Sequence, residues 1–138
     1  MKRDEGMTKG VAAVVVTYNR RALLAQCVEC LLRQSAPELD IWVIDNASTD
    51  GTGDMLAPMV REGRVHYANT GSNLGGAGGF EYGLRLAAER GYQYAWIMDD
   101  DAMPQPTALE ALLSAGKDIG DFGFLSGKYS GRTARSAA

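Results

Sequence analysis

One histidine, two cysteines and four prolines among 138 residues remove several function classes at once. With His66 the sole imidazole, a nitrogen- and sulfur-based zinc centre lacks ligands. Two cysteines make no disulfide framework, and with no signal-peptide pattern over 1–10 the expected compartment is the reducing cytoplasm. Long apolar runs are also missing. The longest, Val11 to Val16, falls far short of the roughly 20 residues that a bilayer-crossing helix needs. Basic charge is in deficit, with 14 Lys and Arg against 17 Asp and Glu and a net charge of -3. A dedicated nucleic-acid binder needs a basic face, so none is expected. What remains, with 46% apolar residues, is the composition of one globular domain.

Residues 1–10 are polar and charged and are expected to form a disordered N-terminal segment; residues 11–125 form the domain, and 126–138 a tail or a truncated continuation. Val11 to Val16 is a β-branched run of the kind buried on both faces of a parallel sheet. Leu23, Leu24, Cys27, Val28, Leu31 and Leu32 recur at helical spacing over 20–34, with Asn19 as the expected N-cap and Pro37 as the stop. A second strand is expected over Leu39 to Ile44. A short helix over Met55 to Arg61 should be broken or kinked by Pro58. A weaker strand follows at Arg64 to Asn69, a glycine loop at Gly71 to Gly79, a helix at Glu81 to Arg90 stopped by Gly91, and a strand at Gln93 to Met98. A helix over Thr107 to Ala115 and a strand at Phe122 to Leu125 complete the pattern. The alternation predicts an α/β fold: a Rossmann-like layered sheet, mostly parallel, with helices on both faces.

In such sheets ligands bind beyond the carboxyl ends of the strands. Here those ends are polar: Thr17-Tyr18-Asn19, Asp45 to Thr52, the glycine loop, and Asp99-Asp100-Asp101. Three consecutive carboxylates repel one another, and a divalent cation is the simplest remedy. Asp99 and Asp101 lie on the same side of an extended backbone and can both reach one hard ion, Mg²⁺ or Mn²⁺, while Asp100 points elsewhere. Glycines at 71, 75, 76, 78 and 79 allow bare N–H groups to approach an anion at the start of the next helix. Cys27-Val28-Glu29-Cys30 lies mid-helix, where nothing lowers a thiol pKa, and both thiols are expected to pack in the core. His66 is expected to be a half-buried packing residue.

Val14 to Arg20, Val43 to Thr52, Asn73 to Phe80 and Met98 to Asp101, in that order, resemble the motifs of family 2 glycosyltransferases with the glycosyltransferase A-type fold. Gly75-Gly76-Ala77-Gly78-Gly79-Phe80 with the triple Asp is most similar to the galactofuranosyl- and rhamnosyltransferase branch. The resemblance implies an inverting transfer from UDP-galactofuranose or dTDP-rhamnose to a glycan or lipid-linked acceptor, at the inner face of the membrane. It implies that Thr17 and Tyr18, with Asn19 beside them, line the nucleotide pocket and that Asp45 accepts a hydrogen bond from the base. It further places Asn73, Gly75, Gly76, Gly78 and Gly79 on the nucleotide, Asp99 and Asp101 on the metal as the D-x-D pair, and Asp100 near the donor sugar or ribose. In the family the general base, the acceptor pocket and a histidine ligand lie well beyond the D-x-D motif. Of the later acids, Glu110, Asp118 and Asp121, none stands in a matching context, so the catalytic base is expected to be absent from this chain. Uncovered edges would then favour self-association. A non-catalytic nucleotide-binding module is the alternative. A receiver domain fits less well, because it carries its acidic pair after the first strand.

Overall fold

A computed structural model of the chain describes residues 9–36, 38–115, 123–126 and 135–137. The elements run β1 (Lys9–Thr17), α1 (Arg21–Leu32), β2 (Leu39–Asp45), α2 (Thr52–Arg61), β3 (His66–Asn69), α3 (Gly75–Glu89), β4 (Tyr92–Asp99), α4 (Ala108–Ala115), β5 (Gly123–Ser126) and β6 (Arg135–Ala137). The described strands form one sheet in the order β3-β2-β1-β4-β5-β6. All pairings are parallel except that of β5 with β6. The α/β expectation holds. The strand β6 falls within 126–138, whereas residues 1–8, Pro37, Asp118 and Asp121 lie outside the described residues.

The strand β1 is central and buried on both faces, as its unbroken apolar run requires. Val11, Ala13 and Val15 face one core with Leu24, Cys27, Val28 and Leu31 of α1, Leu56 of α2, and Leu109 and Leu112 of α4. Ala12, Val14 and Val16 face the other core with Trp42, Ile44 and Ala87, and Phe80 and Leu84 of α3 pack against it. Each fully buried Val or Leu contributes roughly 1.5–3 kcal/mol. His66 is half-buried and stacks on Trp42, ring centroids 4.5 Å apart, so its expected packing role is the one observed.

Three local expectations are corrected. Asn19 is not the N-cap of α1: it takes a left-handed φ of 52°, and Arg20 occupies the cap without a side-chain bond. Pro58 does not break α2, which runs from Thr52 through it to Arg61. Pro58 and Asp54, whose carbonyl loses its helical donor there, are both exposed, so water can satisfy that carbonyl.

The third correction matters most for the site. The glycine stretch is not a loop as far as Gly79, because α3 already starts at Gly75. Glycines cost about 1 kcal/mol each in a helix interior, so something must offset them. At Gly79 and Gly83 it is close packing on the sheet. A Cβ on Gly79 would lie 2.6 Å from Val16 Cγ1, and one on Gly83 would lie 2.3 Å from Val14 Cγ1. A Cβ on Gly76 would meet nothing within 4 Å.

These contacts set opposite outcomes for two substitutions of the same kind. Gly83→Ala should lower stability by about 1–3 kcal/mol through overpacking against β1, despite the better helix propensity of alanine. Gly76→Ala should be neutral or stabilising, by at most about 1 kcal/mol. Urea denaturation of both variants checks this, and equal effects would show that α3 does not approach the sheet so closely.

Candidate active site

The register of the central strands assembles the site. Thr17 pairs with Asp45 across β1 and β2, and Asp45 pairs with Asn69 across β2 and β3. Across β1 and β4, Val16 pairs with Asp99, so the next residue, Asp100, arrives beside Thr17. Between β1 and β4 the chain order of the sheet reverses, which is where an open α/β sheet leaves a crevice.

Asp100 is 1% exposed, and both of its carboxylate oxygens are bonded. Thr17 Oγ1 donates to Oδ2 at 2.8 Å, while Arg20 donates through Nη2 to Oδ1 at 2.6 Å and through Nε to Oδ2 at 3.3 Å. A two-pronged guanidinium contact is the strongest compensation a buried carboxylate can find in a side chain. It raises the Arg20 pKa further, through that hydrogen bond first and the Asp100 charge second. Asp99 and Asp101 behave differently. Both are exposed, and neither carboxylate has a hydrogen bond or ion pair among the described residues. Loss of hydration, then the Asp101 and Asp100 charges, push the Asp99 carboxyl above its ordinary value, against the pull of Arg20. Among the described residues no three His, Cys, Asp or Glu side chains converge as a ready metal cage.

On the other side of β1, the Asp45 carboxylate is buried and accepts from the Ser48 N–H at 2.9 Å and from the Tyr67 hydroxyl at 2.6 Å. Burial, then this bond, pushes the Tyr67 hydroxyl up to about 12. Asn46 is buried beside it. Its backbone N–H donates to the Thr17 carbonyl, its Nδ2 to the Gly75 carbonyl at 3.0 Å, and its Oδ1 accepts from Thr70 Oγ1 at 3.2 Å. One residue thus ties the end of β1, through its backbone, to the start of α3, through its side chain. Asn73 Oδ1 accepts from the Gly75 N–H at 2.9 Å, and the Gly76 and Ala77 N–H groups meet no acceptor among the described residues at the exposed helix start. Gly78 is half-buried and Gly79 buried, the latter close against Val16.

The turns after β1 and β2 are knitted together. The Asn19 N–H donates to Ser48 Oγ at 2.8 Å, and Asn19 Oδ1 accepts from the Thr49 N–H at 2.7 Å. Asp50 accepts from the Arg21 N–H in the first turn of α1, and from the Thr52 N–H and hydroxyl at the start of α2. Tyr18, between these anchored residues, is 44% exposed toward solvent. An open cavity of about 390 Å³ lies against Asn19, Arg20, Arg21 and Asp50.

The structure therefore brings Thr17, Asn19, Asp45, Asp99, Asp100 and Asp101 onto one rim, with the hydroxyl of Thr17 and the carboxylate of Asp100 spent on each other. Sequence reasoning missed Arg20, Asn46, Asp50 and Tyr67. Asp50 had a local signal, a carboxylate two residues before Thr52 at a helix start. Arg20 had none, since its partner lies 80 residues away. Cys27 is buried with its Sγ 3.9 Å from Met98 Sδ, the core role expected of it, whereas Cys30 is half-buried against exposed Met103 and lies outside the core.

Residues 12–131 match the family described as Glycosyl transferase family 2. The galactofuranosyltransferase GlfT1 of Mycobacterium tuberculosis is 37% identical over 112 residues, covering 79% of this chain and 36% of that protein. An undecaprenyl-phosphate mannosyltransferase of Micrococcus luteus is 39% identical over 110 residues, covering 76% of this chain and 43% of that protein. The chain thus spans well under half the length of these curated relatives. S. aureus TarS 1-349, solved in complex with UDP, aligns with a TM-score of 0.68 at 20% identity, over 79% of this chain and 32% of that one, and shares the fold.

Two measurements follow from the geometry. The Asp50 carboxyl is held below its ordinary value by the Thr52 hydroxyl and by the Arg21 and Thr52 N–H groups. Asp50→Ala should cost about 0.5–1.5 kcal/mol at pH 7, the usual net worth of a hydrogen bond. A depressed carboxyl stabilises above its unfolded pKa, so this cost should fade as the pH falls through the lowered carboxyl's own range; a cost that stays unchanged across the whole acid limb would contradict it. The Cys27 thiol is pushed up to about 12, chiefly by burial. At pH 8 iodoacetamide should label Cys30 first and reach Cys27 only in denaturant, as read by mass spectrometry.

Proposed function

The chain belongs to glycosyl transferase family 2, and from that premise we propose that it forms the donor-binding part of a metal-dependent, inverting hexosyltransferase. The donor is a nucleoside diphosphate sugar, UDP-galactofuranose or dTDP-rhamnose, and the acceptor a glycan or lipid-linked sugar. The 37% identical galactofuranosyltransferase supports that choice. The 39% identical mannosyltransferase favours a second reading, a mannosyl donor at the same crevice. Cytoplasmic action at the inner membrane face belongs to the same proposal. No described helix is long and apolar enough to cross a membrane.

The observation that carries the proposal is the division of labour in Asp99-Asp100-Asp101. The middle carboxylate turns inward to a paired arginine, and its neighbours remain outward and unpaired at the β1/β4 crevice. Two free carboxylates are the hard-oxygen donors that Mn²⁺ or Mg²⁺ takes, so the residues fit such an ion. Asp99 and Asp101 would hold it, with water or diphosphate oxygens completing its ligands. When bound, the cation supplies neutralising charge to the departing diphosphate.

The rest falls to the chain itself. The role proposed for Asp45, which is buried and oriented by Tyr67 and Ser48, is to accept the ring N–H of uracil or thymine on a remaining lone pair, with exposed Tyr18 beside it in the pocket. The open Gly76 and Ala77 N–H groups, at the positive end of α3, suit a phosphate oxygen. Inversion at the anomeric carbon requires a carboxylate to take the acceptor hydroxyl's proton, a contribution of about 10²–10⁴ in rate. Glu110 is given no such role.

Calorimetric titration of UDP, dTDP and GDP, each with Mn²⁺ and with chelator, tests the proposal. UDP or dTDP should bind tightly only with the metal, Asp101→Ala should remove the metal-dependent part, and Cys30→Ser should retain it. Equal affinity with and without the cation would remove the metal from the reading, and preference for GDP would favour the mannosyl donor.

A further inference from the structure

We propose that Arg20 is a positioning residue for the outward carboxylates: by clamping Asp100 against the end of β1, it sets where Asp99 and Asp101 stand. The inference rests on the metal-binding reading above. Three like charges on consecutive residues would splay if the backbone between them were free. It is not free. The strand β4 is paired with β1 as far as Asp99, and the Ala102 N–H donates to the Asp99 carbonyl at 3.1 Å, closing a turn around Asp100. Of the two central residues of that turn, Asp101 is exposed, whereas Asp100 is buried and held on both oxygens by Thr17 and Arg20.

Arg20 is suited to the task by its place. It caps α1 immediately after the β1 turn, and the adjoining Asn19 and Arg21 are bonded to Ser48, Thr49 and Asp50. The guanidinium therefore approaches Asp100 from a backbone anchored at both neighbours. Its planar fork engages through Nε and Nη2, a geometry that a lysine ammonium cannot reproduce. The Arg20 side chain is nonetheless 47% exposed against 2% for that of Asp100, so it stands at the crevice.

Charge alone and positioning predict opposite signs. Removing a cation next to two free carboxylates should, by Coulomb's law, strengthen the binding of Mn²⁺. Losing the anchor of the ligand-bearing turn should weaken it, and partners that orient metal ligands typically matter by about 10–100-fold in metal affinity.

The readout is the metal-dependent increment, the ratio of UDP affinity in Mn²⁺ to that in chelator, measured calorimetrically on the full chain. Arg20→Ala should reduce the ratio at least about tenfold, and Arg20→Lys, which keeps the charge, should fail to restore it. Circular dichroism checks folding; if Arg20→Ala does not fold, Arg20→Lys decides alone. An increment that Arg20→Lys retains in full, or that Arg20→Ala increases, overturns the proposal. No increment in the unsubstituted chain would instead overturn the metal-binding reading itself.

Discussion

A carboxylate buried at the end of a strand has to be compensated where it stands, and the arrangement of the rim follows from how this is done at Asp100. Thr17 supplies a hydroxyl from β1, and Arg20 supplies a charged, two-pronged contact from the entry to α1. Leaving such a group unpaired would cost several kcal/mol, on the order of 3–5 in measured cases of a broken buried pair. Because Asp100 is satisfied inward, its neighbours are free to face outward. The acidic turn thereby acquires an inside and an outside.

The same economy of side chains recurs on the other flank of β1. Asn46 joins β1 through its backbone N–H and the Thr70 turn and the first residue of α3 through its side chain, so the helix start is referenced to the sheet through one residue. Asp50 serves the first turns of two helices at once. Loops at a strand rim are ordinarily the most variable part of an α/β domain. Here their side chains bond chiefly to one another's backbones, and the crevice has a defined floor before any ligand arrives.

The glycines of α3 divide by depth. Gly76 lies open at the helix start, where a bare N–H is useful, whereas Gly79 and Gly83 let the helix lie directly on Val16 and Val14. A composition that reads as flexible is, at Gly79 and one turn on at Gly83, a packing surface. Propensity opposes helix at these positions and tertiary contact overrides it.

Much of the fold was legible before any coordinates. Val11 to Val16 announced a doubly buried strand, the alternation of strands and helices announced the parallel sheet, and Gly91, with φ 84°, ended α3 as its place after the periodic residues required. Asp99 and Asp101 are both exposed, as expected, but β4 ends at Asp99 and Asp101 is placed by the turn that the Ala102 N–H closes onto the Asp99 carbonyl, not by an extended backbone. These features depend on neighbours in the chain. The inward fate of Asp100, the place of Arg20, the bond from Tyr67 to Asp45 and the early start of α3 depend on which strands lie side by side and in what register. Partners 80 residues apart leave no trace in local spacing. Only the pairing of Val16 with Asp99 carries Asp100 to Thr17, and only the closeness of α3 to β1 makes glycine necessary at 79 and 83.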